Sequence, residues 1–288
     1  MLHEITATVK PYEITKPAKG TAAKRAELAE VITAIYTHYN VETAEDWRPL
    51  SGVANVRGYV VLDDGLRWPV WKQSQGSCAS VVWITTLTGK LEGYPGITTS
   101  CKQNALCLAR RSNADMICHE CFAADTLDRY DAADEHATLN SLLLQHNAIP
   151  AGLLPRFRNV QEVRIEPFGD QANVQQSLNM ITMCNANPRV RFGWRTKNPG
   201  IVDRAIKIAG RPVNVSFVLS SCFKNKELKL ADVQRVFPWV DHVFTVFTKD
   251  YIKAHGIEIN CGARNCWECG KCYKNDGSTD GQIREQLK

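Results

Sequence analysis

The stretch CGARNCWECGKCY carries four thiols, Cys261, Cys266, Cys269 and Cys272, near the end of a 288-residue chain. The last three form C-x2-C-x2-C, with Cys261 five residues upstream. Consecutive C-x2-C steps wrap the backbone around a cubane, because each thiolate must reach a different iron while amide N–H groups point at the sulfurs. A single tetrahedral zinc more often takes one C-x2-C pair and a second pair from a separate knuckle. The spacing therefore favours a 4Fe–4S cluster, with zinc as the alternative. Tyr273 and Lys274 stand where the bacterial ferredoxin run has its fourth cysteine and proline, so the fourth ligand is Cys261 or lies elsewhere in the chain.

A second set, Cys101, Cys107, Cys118 and Cys121, has the spacing C-x5-C-x10-C-x2-C. It contains one knuckle pair and two looser thiols. A metal role is favoured over the competing reading, in which some of them are buried free cysteines packed as small hydrophobes. For the isolated Cys78, Cys184 and Cys222 the free-thiol reading is preferred. His119, inside the knuckle, can ligate metal or hydrogen-bond a sulfur, although a loop histidine is more often simply solvated. Trp267, inside the terminal run, can bind against a cluster and shield it from water, which would shift its potential. Packing beneath a loop explains Trp267 equally well.

These residues need a scaffold. With 44% hydrophobic and 23% charged residues the chain is long enough to bury a sizeable core. No run of about 18 apolar residues suits a membrane span. The start, MLHEITATVKPYEITK, lacks an apolar region behind a basic one, which suggests a cytoplasmic protein with reduced thiols. A net charge of +5 permits contact with nucleic acid without arguing for it. TAAKRAELAEVITAIYTHYN reads as an amphipathic helix, GYVVLDDG and ASVVWITTLTG as strands, residues 90–130 as mostly loop, and DAADEHATLNSLLLQHNA as a helix.

After Pro155, strand-like runs at EVRIEPFG, RVRFGW, PVNVSFVLSS, DHVFTVFT and GIEINC alternate with the helical NVQQSLNMITMCNA, GIVDRAIKIAG and KLADVQRVF. That alternation implies βαβ units and a parallel sheet. The expected fold is α/β, a (β/α) barrel-like domain over 59–275, closed or partial, after an N-terminal arm and helix at 1–58 and before a tail at 276–288. No phosphate-binding glycine loop opens any unit, which weakens a nucleotide-binding sheet.

In such a barrel the loops after the strands share one face. Both cysteine groups should emerge there, as one composite site or two neighbouring ones. Asp170 beside Gly169, Arg195 with Thr196, Ser220 with Ser221, and Lys249 with Asp250 should line the same mouth. Asp170 and Arg195 are the candidates for chemistry on a small-molecule substrate, with Gly169 and Trp267 as candidate cofactor contacts. Against this stands the reading that Asp170 and Arg195 pair with each other or cap helices. No Ser-His-Asp or Cys-His pairing is legible.

The ordered set TTSC…C…ICHECFA, RYDAADEHATLNSLL, VRIEPFGDQ, FGWRTKN and the terminal C-x2-C-x2-C resembles the phage gene-product-88-like proteins over about residues 95–275. Arg164, Gly169 and Asp170 match that family's R…GD element, and CFA stands where CYA is usual. The resemblance implies a barrel related to radical S-adenosylmethionine enzymes, an iron–sulfur cluster on the terminal cysteines, and a bacteriophage origin. It implies no particular reaction. The C-x3-C-x2-C spacing that leaves one iron open for S-adenosylmethionine occurs nowhere in the chain, so radical chemistry is an alternative to a redox or small-molecule role. A further alternative is a zinc or iron protein whose metal only folds the loops while its surface binds a host or viral partner.

Overall fold

The computed structural model describes residues 12–43, 55–73, 78–81, 89–262, 265–274, 277 and 279–287. Helix α1 (Thr21–His38) buries Leu28, Val31, Ile32 and Ile35, spaced three and four apart so that they share one face. That face joins a core with Tyr59, Trp68 and Val70 of a small antiparallel sheet, β1 (Val56–Val61), β2 (Arg67–Lys72) and β3 (Cys78–Ala79). The boundary expected at residue 58 thus falls inside β1. The expected strand ASVVWITTLTG is represented by β3 alone, and residues 82–88 lie outside the described residues.

Six further strands, β4 (Gly96–Ile97), β5 (Glu162–Ile165), β6 (Arg191–Thr196), β7 (Val215–Ser220), β8 (His242–Phe247) and β9 (Gln282–Gln286), pair in chain order. Every pairing is parallel. Between β4 and β5 run α2 (Ala105–Arg111), α3 (Phe122–Arg129) and α4 (Asp131–His146). The later crossovers carry α5 (Val174–Asn185), α6 (Pro199–Ala209), α7 (Leu230–Val236), α8 (Lys249–His255) and the single turn α9 (Cys266–Cys269). β4 and β9 are the two edges of the sheet.

Strand order that follows chain order has no reversal point, so successive crossovers pack on the same side. Helices α4 to α7 accordingly share one core with Val163, Ile165, Phe192, Trp194, Val215, Phe217 and Val243. Side chains alternate across a strand, which sends Arg164, Gly193, Arg195, Ser216, Val218, His242 and Phe244 to the opposite face. That face is covered by residues 272–274, with Ile117 and Cys261 on Val218 and Phe244, rather than by the helix layer. His242 Nε2 lies 2.6 Å from the Lys274 carbonyl, and Ser216 Oγ donates to the same oxygen at 3.4 Å. Tyr273 lies on Gly193, where a Cβ would come within 2.8 Å of the ring. Both faces being covered, β7 and β8 are buried along their whole length.

Two expectations are corrected. GIEINC is not a strand. The sixth strand is instead Gln282–Gln286, in the stretch expected as a tail, aligned with β8 from Val243↔Gln282 to Phe247↔Gln286. Of its five residues only Ile283 is buried, which is why no apolar pattern announced it. Asn260 and Cys261 attach to its outer side through amides bonded to the Arg284 carbonyl at 3.2 and 2.9 Å. Residues 90–130, expected as mostly loop, contain α2 and α3. Among the described residues no helix is long and apolar enough to cross a membrane.

Gly169 sits where the chain turns after β5, and a Cβ there would meet the Thr99 carbonyl oxygen at 2.4 Å and Glu166 Oε2 at 2.6 Å. Because the first of these is backbone, Gly169→Ala should destabilise the protein by about 1–3 kcal/mol, read as a lower urea midpoint at unchanged slope. Gly200→Ala, in the first turn of α6 with nothing within 4 Å of the new methyl, should be neutral or slightly stabilising.

Candidate functional site

The terminal cysteines are wound by two single turns of opposite purpose. Asn265 caps α9 by accepting from the Glu268 amide at 2.9 Å, and Gly270, at φ 58, reverses the chain into a second tight turn over Lys271–Tyr273. Glycine suits that left-handed reversal because it has no Cβ to clash. The result is a pocket lined by all four of Cys261, Cys266, Cys269 and Cys272 together with Lys90, Arg164 and Arg195.

The floor of this pocket is cationic. Arg195 Nη2 donates to Cys272 Sγ at 3.1 Å, and its guanidinium carbon lies 4.2 Å from the centre of the Phe244 ring. Burial opposes the charge of Arg195, yet the neighbouring Cys272, Cys261 and Glu285 outweigh it and hold the group above its ordinary value. Arg164 is 6% exposed. Burial, and then repulsion from Arg195, push it down to about 10. The Nε atoms of both arginines are buried without a hydrogen-bond partner among the described residues. Lys90 Nζ is 2.8 Å from the Cys261 carbonyl, 3.8 Å from its sulfur and 2.6 Å from Glu285. Burial also pushes the Cys261 and Cys266 thiols up.

Trp267 braces the loop from outside the pocket. Its ring stacks on Tyr94 at 3.8 Å, Tyr94 stacks on Tyr273 at 5.1 Å, and its Nε1 donates to the Glu92 carbonyl at 3.0 Å. It remains 46% exposed and does not line the pocket, so packing is the role the geometry gives it.

The central cysteines gather at the carboxyl ends of the strands. Cys101 follows β4, Cys107 lies in the first turn of α2, Cys118 sits in a short 3-10 turn, and Cys121 precedes α3. Cys101, Cys107 and Cys121 pack in one small cluster with Ala124, Leu127 and Phe168. The hydrogen bond from Cys101, followed by the Ala124 and Ala123 amides, holds the Cys121 thiol below its usual range. Cys118 neighbours Cys121 and also Cys222 from the end of β7. None of these residues lines the terminal pocket. The two groups are therefore separate, bridged by the apolar patch of Val218, Phe244, Val246 and Ile283, against which Ile117, Cys261 and Cys272 all pack, and by Phe168, which packs beside Cys101 and Cys121 and also beside Tyr94 and Tyr273. Cys184 is fully buried in the main core. As placed, no three His, Cys, Asp or Glu side chains among the described residues stand close enough to hold a single metal ion.

Asp170 is internally satisfied. Its Oδ1 accepts from Thr196 Oγ1 at 2.7 Å and from the Gln171 amide at 2.8 Å, and its Oδ2 accepts from the Lys197 amide at 2.8 Å. Arg110 Nη1 is 3.8 Å away. The carboxylate thus ties the end of β6 to the turn after β5, and it contacts Thr196 rather than Arg195. Gly169 allows the close approach to Thr99 described above. His119 is exposed, with Nδ1 2.9 Å from the Arg111 carbonyl.

The residue that sequence reasoning missed is Glu166. It has a positive φ of 56, is 4% exposed, and accepts from the Thr99 amide and hydroxyl, Gln171 Nε2 and Gln176 Nε2. Burial raises its carboxyl to about 7. No protein-family model, no curated protein and no solved structure matches the chain.

The Glu166 shift has a sign that can be checked. An unfolded glutamate titrates near about 4.3, so between there and about 7 the unfolded state releases its proton first. Stability should fall as pH rises through that window, by on the order of 3 kcal/mol from this group. Urea midpoints from pH 4 to 8 should show this slope in the parent and lose it in Glu166→Gln, and an equal slope in both would reject the assignment.

Proposed function

We propose that this chain is an iron–sulfur protein of the phage gene-product-88-like kind, in which Cys261, Cys266, Cys269 and Cys272 hold a 4Fe–4S cluster on the inward face of a partial (β/α) barrel. The barrel reading is supported by strand order that follows chain order and by a helix layer that packs on one face. The observation that carries the cluster is the pairing of four thiols with a buried arginine, Arg164, and a half-buried one, Arg195, whose Nε atoms are both buried without a hydrogen-bond partner among the described residues. Burying a charge without compensation costs several kcal/mol. A cubane with four thiolates is an anion of overall charge about −2 in its common oxidised state, which matches the two guanidiniums beneath it.

Bound there, the cluster supplies one-electron transfer. The chain's own groups set the conditions. Arg195 donates to the Cys272 sulfur, which spreads negative charge off that ligand and favours the more reduced state. Lys90 holds the Cys261 end of the loop and balances Glu285. With four cysteines assigned to four irons no coordination position is left open, so the reading favours redox or electron-carrier work over radical cleavage of S-adenosylmethionine. The proposed setting is the cytoplasm of a phage-infected host, where thiols stay reduced.

Protein purified without oxygen tests this directly. The parent should show a broad visible band near about 400 nm, and Cys266→Ser/Cys269→Ser should lose about four irons and four sulfides per chain relative to it. Cys184→Ser, which alters a thiol buried in the main core, should keep them. Zinc in place of iron on the terminal run, with no colour, would overturn the reading.

A further inference from the structure

The segment from residue 105 to residue 123 has no buried residue, although it contains α2, a 3-10 turn and the start of α3. Leu108 and Phe122 are exposed at 49% and 68%. Only Cys107, Ile117, Cys121 and Ala123 of this segment pack, part-buried, against neighbouring apolar clusters, so little of its order comes from apolar burial, and a metal held by its thiols would add to it. Four thiols converge on this segment. Cys101 and Cys121 pack together with Cys107 around Ala124 and Leu127, and Cys107 and Cys118 both neighbour Cys121. Across the group stands Lys197, from the end of β6, whose positive charge acts on Cys107, Cys118 and Cys121 alike.

We propose that Cys101, Cys107, Cys118 and Cys121 form a second metal centre, a structural zinc ion held by four thiolates at the carboxyl ends of the strands, separate from the terminal pocket. An all-thiolate donor set selects a soft metal over magnesium or calcium. The C-x2-C pair of Cys118 and Cys121, joined by two thiols from separate elements, is the arrangement by which one tetrahedral zinc is usually held. Holding the ion requires the four side chains to move from their present positions, in which no three His, Cys, Asp or Glu side chains among the described residues stand close enough to share one metal. Four thiolates on a zinc dication leave a net charge of −2, opposed by Lys197 and by Arg110, whose Nη2 donates to the Lys197 carbonyl at 2.9 Å. Cys222 lies beside Cys118 but belongs to β7's end, where its carbonyl accepts the Ile117 amide at 2.8 Å and so anchors the segment to the sheet. It is not assigned as a ligand.

This inference stands apart from the iron–sulfur reading, and the two fail separately. The full chain, purified without oxygen, should contain about one zinc in addition to its iron. Cys118→Ser/Cys121→Ser should lose the zinc and keep iron and sulfide, Cys266→Ser/Cys269→Ser should lose iron and keep the zinc, and Cys222→Ser should keep both. If the double variants fold poorly, the parent answers instead. A zinc chelator should release the ion and open residues 105–123 to proteolysis at least tenfold faster while the visible band persists. Zinc unchanged in Cys118→Ser/Cys121→Ser, iron lost with that pair, zinc lost from Cys222→Ser, or no change in proteolysis on chelation would each overturn the proposal.

Discussion

Two guanidiniums on the face of a parallel sheet turned away from the helix layer, one buried and one half-buried beneath four thiols, are the constraint around which the rest of the molecule is arranged. Arg164 and Arg195 come from neighbouring strands and occupy a face where most folds of this class place aliphatic side chains. They can do so because strand order follows chain order and leaves that face clear of the helix layer. The sequence then keeps the face open: Gly193 admits the Tyr273 ring, Ser216 and His242 hold the Lys274 carbonyl, and Val218 and Phe244 give the loop an apolar bed. The Trp267–Tyr94–Tyr273 stack pins the loop to the segment entering β4. In the proposed account the anionic cluster completes the face that these residues prepare.

Much of this scaffold was legible from periodicity. β5 to β8 and α4 to α7 read directly because each has an apolar side committed to one large core, so period two or 3.6 shows through. The failures share a cause. β9 buries only Ile283, β4 is two residues long, and α2 buries nothing, so none of them carries a pattern that burial would impose. GIEINC had the better strand composition, but its segment leaves Asn260 and Cys261 hanging on the outside of β9 by their amides. Pairing geometry, not composition, decided which of the two entered the sheet.

The candidate site was legible in its cysteines and not in its electrostatics. Spacing alone separated the terminal and central cysteines from Cys184. It did not reveal that the two groups lie in separate places, because that depends on the terminal run folding back over the sheet while Cys101–Cys121 stays at the strand ends. Asp170 looked like a reactive group at a strand end, and the structure surrounds its oxygens with Thr196, Gln171 and Lys197 instead. Glu166 could not be singled out, and Arg164 was marked only by the family resemblance, since a charged residue in or just after a short strand gives no sign that it will be buried. Both become conspicuous only once their surroundings are known.

The most direct measurement compares Arg164→Met with the parent in two states, metal-loaded and chelator-stripped, by denaturant unfolding without oxygen. If the arginine exists to balance a thiolate cluster, removing it should stabilise the stripped protein, which otherwise buries an unopposed charge, and should weaken the loaded one, so that the sign of the change reverses between the states. A change of the same sign and size in both states would contradict the account and leave Arg164 as an ordinary part of the packing.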